Sequence, residues 1–320
     1  MKPMAVAKFE ASGTRSGMAI GAVAMAIMFA LPAFGYAPIL INATDTLILV
    51  LLVLSLNLLV GYGGMISMGH AAFFATGGYT AGILAKYFGL PIALAFPAGA
   101  AAAALLAVVI GFFSIRLTHA YFIMLTLAFA QLVYTVIWKW SSVTGGDDGL
   151  IGFAPPHFLE GTVAYYYFVL IVVGICVYAL WSICSSPFGR TLRAIHDNPD
   201  RTTFVGVNVR AVQLTAFVLA GAFAGIAGCL QAYFNRGMFV NSADFLTSAD
   251  ALVILLLGGS RWFAGPIVGA VVFKLLYIAI PNVTVYWQFF LGLVILAVAL
   301  FMPNGLFSLA DRLLQRKRHG

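Results

Sequence analysis

ILINATDTLILVLLVLSLNLLV, residues 39–60, carries a single charge, Asp45, in an otherwise apolar or neutral run. About 20 mostly apolar residues suffice for one helix to cross a bilayer. Comparable runs recur along the whole chain and predict about ten spans, at 17–35, 39–60, 69–88, 90–115, 117–140, 163–184, 212–234, 247–257, 263–280 and 285–302. Hydrophobic residues make up 62% of the 320 positions and charged residues 8%, whereas a soluble domain carries about 25% charged residues. A water-soluble chain of this size would have too few charges to coat itself. The runs far exceed the roughly ten-residue alternating segments of a membrane barrel. The expected fold class is therefore all-α, a polytopic membrane bundle in one domain over residues 1–320, with strands not expected. The eighth run is short, which predicts a broken or steeply placed helix of the kind tolerated where backbone packs against protein or lines a cavity.

Basic residues collect on cytoplasmic loops, and ten spans with the N-terminus inside sort them sharply. The inner side receives Lys2, Lys8, Arg15, Arg116, Arg190, Arg193, Arg201, Arg210, Arg261, Arg312, Arg316, Lys317 and Arg318. The outer side receives Lys86, Lys139 and Arg236, with Lys274 left inside the ninth span. Thirteen against three makes both termini cytoplasmic. The net charge of +7 is then mostly a topology signal, and no nucleic-acid partner is needed to explain it. The tail RLLQRKRHG, 312–320, reads as a positive-inside or anionic-lipid cluster. The first run follows Lys2, Lys8 and Arg15 like the start of a signal peptide, but its length favours a retained span. Cys176, Cys184 and Cys229 have no metal-ligand or disulfide spacing and read as small packing residues.

No GxxxxGK[ST], HExxH or GxSxG motif occurs, and no Gly-Lys pair exists in the chain. It cannot cradle ATP phosphates in the P-loop manner, so neither catalysis nor a cofactor or metal is expected on it. Driving energy must come from a partner or an ion gradient. The block LSLNLLVGYGGMISMGHAAFFATGGYTAG, 54–82, sets Asn57, Ser67 and His70 among Gly61, Gly63, Gly64, Gly69, Gly77 and Gly78. Each glycine costs a helix roughly 1 kcal/mol relative to alanine; either close packing or a backbone-lined pathway would offset it. His70 falls at an expected membrane boundary, as a packed or interface-lying histidine. Gly221 and Gly225 form GxxxG, and Ala224 with Gly228 repeats the spacing, which reads as close helix approach. Asp45 must face protein or water.

Two loops stand out. The outer one, 141–161, holds VTGGDDGL, where Gly145, Gly146, Asp147, Asp148 and Gly149 form an acidic turn that either meets a partner or solute at the entrance or is simply solvated. The inner one, 185–210, begins with Ser186 and Pro187 as a helix start, and Phe188, Leu192 and Ile195 then recur on one face. Asn198 and Pro199 break that helix and Asp200 starts another. With Arg190, Arg193 and Arg201 alongside, the apolar stripe reads as a surface for a soluble partner's groove, or as a basic helix lying on lipid headgroups.

SPFGRTLRAIHDNPDRTTFVGVNV followed by LTAFVLAGAFAGIAGCLQA resembles the cytoplasmic coupling segment and following span of LivM-type permeases, in the branched-chain amino acid ABC importer family. LNLLVGYGGMISMGHAAFFATGGY resembles that family's early glycine-rich block, VTGGDDGL its outer loop and LLGGSRWFAGPIVGA its late Gly-Pro block. The resemblance implies a permease of about ten helices in the bacterial inner membrane, paired with a LivH-like second permease. It further implies two cytoplasmic ATPases that bind ATP and Mg, and a periplasmic solute-binding protein. By position, Phe188, Arg190, Leu192, Arg193, Ile195, Asp197 and Gly206 fall in the ATPase-coupling segment. Asn57, Gly61, Gly64, Ser67 and His70 fall where a translocation pathway is implied. Branched-chain amino acids are the solutes implied first, with urea, amides and aromatic acids as alternatives within the family. Two rivals from other classes are an ion-coupled carrier, for which Asp45 and Lys274 are the only charges well inside spans, and an intramembrane enzyme using His70 and His119.

Overall fold

The structure, a computed structural model, describes residues 28–29, 31–34, 37–117, 120–282, 284–301 and 305–306. Of the expected first span, 17–35, only 28–29 and 31–34 fall within them, and His119 and the basic tail lie outside. The expected later spans appear as α1 (Ala37–Asn57), α2 (His70–Phe88), α3 (Ile92–Ser114), α4 (Ala120–Lys139) and α5 (Thr162–Ser185). The inner loop forms α6 (Pro187–Asp197) and α7 (Pro199–Phe204), followed by α8 (Val209–Phe234), α9 (Phe245–Gly258), α10 (Gly265–Ala279) and α11 (Trp287–Phe301). Six helical stretches among the described residues are long and apolar enough to cross a membrane: Ala37–Tyr62, Ile92–Ser114, Ala120–Lys139, Thr162–Ser185, Val209–Phe234 and Gly265–Asn282. The chain is thus an all-α polytopic membrane protein.

One departure from the expected absence of strands is a two-residue antiparallel ladder. β1 (Leu150–Ile151) in the outer loop pairs with β2 (Gly237–Met238) just after α8, Leu150 opposite Met238. Strand hydrogen bonding satisfies backbone groups where the two loops cross, outside the reach of either helix.

Packing is organised around two helices. α8 lies against α2 and α3, while α1 lies against α5, α8, α9 and α10. Membrane helices gain little from hydrophobicity against one another and associate through close van der Waals contact, which small residues permit. The small-residue face of α8 does this. A Cβ on Gly225 would meet the Ala103 Cβ, one on Gly77 would overlap the Gly225 backbone, and one on Gly228 would overlap the Phe74 carbonyl oxygen. The Cys229 thiol, fully buried, donates to the Gly77 carbonyl at 3.2 Å. Phe73 and Phe122 both meet Phe217 edge-on, at 5.4 and 6.0 Å between centroids.

α9 has 14 residues, about 21 Å at 1.5 Å per residue, short of the roughly 30 Å hydrocarbon core. Ser248 at the end of its first turn is buried, and its hydroxyl accepts the backbone N–H of Ala71 at 2.8 Å.

Candidate functional site

The glycine-rich block interrupts the bundle. Past Asn57, α1 continues as one π-helical turn, Leu58–Tyr62, and residues 63–69 are non-helical before α2 starts at His70. Gly64 adopts φ +66°, a left-handed conformation that costs a side chain-bearing residue. Buried polar groups hold the break: the Ser55 hydroxyl and His70 Nε2 are 2.8 Å apart, Ser67 accepts the Gly69 N–H at 3.2 Å, and Thr126 accepts the Met68 N–H at 3.3 Å. Asn57, Ser67 and His70 are all 1% exposed or less. Of the two readings of His70, packed or interface-lying, the structure shows the packed one: the ring is fully buried where α2 starts among α1, α4 and α9. Gly61 lets the Asn57 side chain and the Ser260 carbonyl come together, since a Cβ there would overlap both. Asn57, Gly61, Ser67 and His70 thus lie around the same break, His70 joined to Ser55 and Ser67 to Gly69, while neither polar atom of the buried Asn57 amide has a partner among the described residues.

Gly64 joins the break to the inner loop. The His196 ring lies over it, Leu192 lies beside Gly63, and the Arg193 guanidinium sits 4.2 Å from the centroid of Tyr62. Leu192 and Ile195 are 0% and 2% exposed. This corrects the expectation that the apolar stripe of α6 faces a soluble partner. It faces its own bundle, with Phe188 half-buried, because the break leaves an apolar recess that the stripe fills. Ser186 does not cap α6 with its side chain, and its hydroxyl donates back to the Ile183 carbonyl at 2.7 Å. The cap of α7 is Asn198 rather than Asp200: the Asn198 Oδ1 accepts the Arg201 N–H at 2.9 Å.

The outward surface of the inner loop is different. Arg190, Asp197, Asp200, Arg201 and Gly206 are exposed, and Phe204 and Val205 are 90% and 75% exposed at the tip. Sequence reading passed over this pair because two adjacent apolar residues make no periodicity. The nearby signal was Gly206, whose φ of +87° turns the chain back toward α8.

The outer loop is folded rather than a loose acidic turn. Trp138 Nε1 donates to the Asp147 carboxylate at 2.7 Å, Thr144 donates to the Ile137 carbonyl at 2.6 Å, and the β ladder fastens the far side. Gly146 and Gly149 are buried, with Asp147 and Asp148 at the surface. Asp45 and Lys274, which sequence could not bring together, form an ion pair.

Comparison with known proteins places the chain in a family. The family description for the permease component of branched-chain amino acid transport systems matches residues 39–299. The high-affinity branched-chain amino acid transport system permease protein LivM of Escherichia coli K12 is 26% identical over 302 residues, covering 86% of this chain and 71% of that protein. The galactose/methyl galactoside import permease MglC of Salmonella typhimurium is 28% identical over half of each chain. The autoinducer 2 import system permease LsrC of Shigella flexneri is 28% identical over 47% of this chain. No solved structure matches.

Proposed function

Because the chain belongs to the branched-chain amino acid transport permease family, we propose that it is a permease subunit of an ATP-driven importer in the bacterial inner membrane, with branched-chain amino acids as its solutes. The observation that carries this is the family match over 39–299 on a helical bundle without a nucleotide-binding motif. ATP and Mg then belong to two cytoplasmic ATPases, and the chain pairs with a LivH-like permease and receives solute from a periplasmic binding protein. Ten spans with both termini cytoplasmic are part of the reading. Supporting it, Arg116 and Arg210 line one cavity at a common end of the bundle, while the loop bearing Asp147 packs at the other end against Gly82.

In this reading, residues 185–210 couple the ATPases to the bundle, with labour divided between two faces. Leu192 and Ile195 hold α6 on the glycine break. Phe204 and Val205 enter the ATPase cleft, with Arg190, Asp197 and Arg201 as orienting charges, since apolar anchors dominate affinity and rim charges orient. Asn57, Gly61, Gly64, Ser67 and His70 are a gate that opens onto the pathway when α6 moves, and 141–161 is the docking face for the binding protein. The test is reconstitution of the full complex in proteoliposomes with labelled leucine. Leucine uptake that needs ATP and an intact ATPase is the expected outcome. Uptake of urea, an amide or an aromatic acid instead would reassign the solute. The Asp45–Lys274 pair supplies what an ion-coupled carrier would need, and gradient-driven uptake by the permeases without ATPases would establish that rival.

A further inference from the structure

The coupling reading leaves the Asp45–Lys274 pair in the bundle unused. Asp45 lies in the third turn of α1, Lys274 in the middle of α10 and Gln231 near the end of α8. The Lys274 ammonium donates to one oxygen of the Asp45 carboxylate, and the Gln231 amide donates to the other at 3.3 Å. Lys274 Nζ also lies 5.3 Å from the centroid of the Tyr277 ring. Three helices distant in sequence thus converge on one ion pair. The pair is not closed off: the Asp45 side chain is 32% exposed and that of Lys274 16%. An ionised group within a membrane helix is kept where it faces protein or water and not acyl chains. The open side of the pair therefore faces the aqueous path or the assembled complex.

We propose that Asp45, Lys274 and Gln231 form a station on the solute pathway that takes the zwitterionic head of an α-amino acid. Lys274 binds the carboxylate and Asp45 the ammonium; the proposal rests on the importer reading above. A zwitterion holds both charges on one carbon, so it can replace the internal pair with two charge-assisted hydrogen bonds and leave no uncompensated charge in the bundle. The Gln231 amide keeps the Asp45 carboxylate oriented while its partner changes. Because each solute group displaces a resident partner, binding is an exchange and its net affinity stays low, as passage requires. Self-neutralisation alone does not call for such a pair, since apolar residues of similar volume are often as stabilising.

The test uses the assembled importer carrying Gln231→Cys, whose native cysteines, all three buried, leave little background. A small cationic thiol reagent is applied with L-leucine, with leucinamide, which lacks the carboxylate, or with 4-methylpentanoate, which lacks the ammonium. We expect leucine to slow modification several-fold, the two analogues to leave it unchanged, and added Asp45→Asn or Lys274→Met to abolish the protection. Asp45→Asn/Lys274→Met, with Gln231 intact, should lower ATP-driven leucine uptake at least tenfold while the permease pair still assembles. Wild-type uptake in the double variant, a thiol out of reach in every nucleotide state, or equal protection by all three solutes would overturn the proposal. If the double variant does not assemble, thiol protection alone decides. Wild-type uptake is measured first: ATP-driven uptake of a solute that is not an amino acid removes the station and keeps the importer, and no ATP-driven uptake at all removes the importer reading itself.

Discussion

The His196 ring occupies the space where a Gly64 side chain would be: a Cβ built on Gly64 would fall 2.5 Å from His196 Cδ2. Gly64 also holds φ +66°, which costs an alanine about 1–2 kcal/mol. Gly64→Ala should therefore push α6 off the break and reduce leucine uptake several-fold, with the ATPases still bound. His196→Ala removes the clash but leaves the backbone cost. Uptake by the double variant should recover in part, and full recovery or none would each contradict this two-part origin. Proteoliposome uptake of the two single variants and the double one decides it.

The two faces of the inner loop should separate in mutagenesis. Phe204→Asp/Val205→Asp is expected to abolish co-purification of the ATPases while the permease elutes normally in detergent, because these side chains touch little of their own chain. Leu192→Asp buries a charge in the recess and is expected to lower folded yield and melting temperature. If Leu192→Asp instead leaves the melting temperature unchanged and releases the ATPases, the stripe faces outward and the division of labour is wrong.

Small residues on α8 leave no room for growth. Gly225→Leu has to displace Ala103 and Gly99, and overpacking of this kind costs typically about 1–3 kcal/mol. We expect aggregated or poorly assembled permease by size-exclusion chromatography. By contrast, Gly292→Ala in α11, where a Cβ meets nothing within 4 Å, should behave as wild type.

Topology can be read by impermeant thiol labelling. Asp148→Cys should react from the periplasmic side and Asp200→Cys only after the inner face is opened. Both positions are exposed and neither caps a helix, so the labels report sidedness without disturbing the fold. Reaction of both from one side would remove the ten-span orientation.

The positions of α1 to α5 and of α8 to α11 were legible from hydropathy because nearly all of these runs are long and apolar, and these helices fall within a few residues of them. The packing face of α8 was legible too, since Gly221, Ala224, Gly225 and Gly228 recur at helical spacing. Orientation of the α6 stripe was not. Periodicity shows that Phe188, Leu192 and Ile195 share a face, but what covers that face depends on a recess created by residues far earlier in the chain. The meeting of Asp45 with Lys274 was hidden for the same reason: each lies in its own span, and only packing of α1 against α10 joins them.

The contact between Gly64 and His196 spans about 130 residues of sequence. At roughly 5–20 residues per second of synthesis, the break after α1 is made several seconds to almost half a minute before α6 exists to cover it. Until then the non-helical backbone at 63–69, which the ten-span orientation puts on the cytoplasmic side, has to satisfy its polar groups with water or another protein. Biogenesis of this protein therefore has a vulnerable interval, which closes only once the ribosome has passed Asp197.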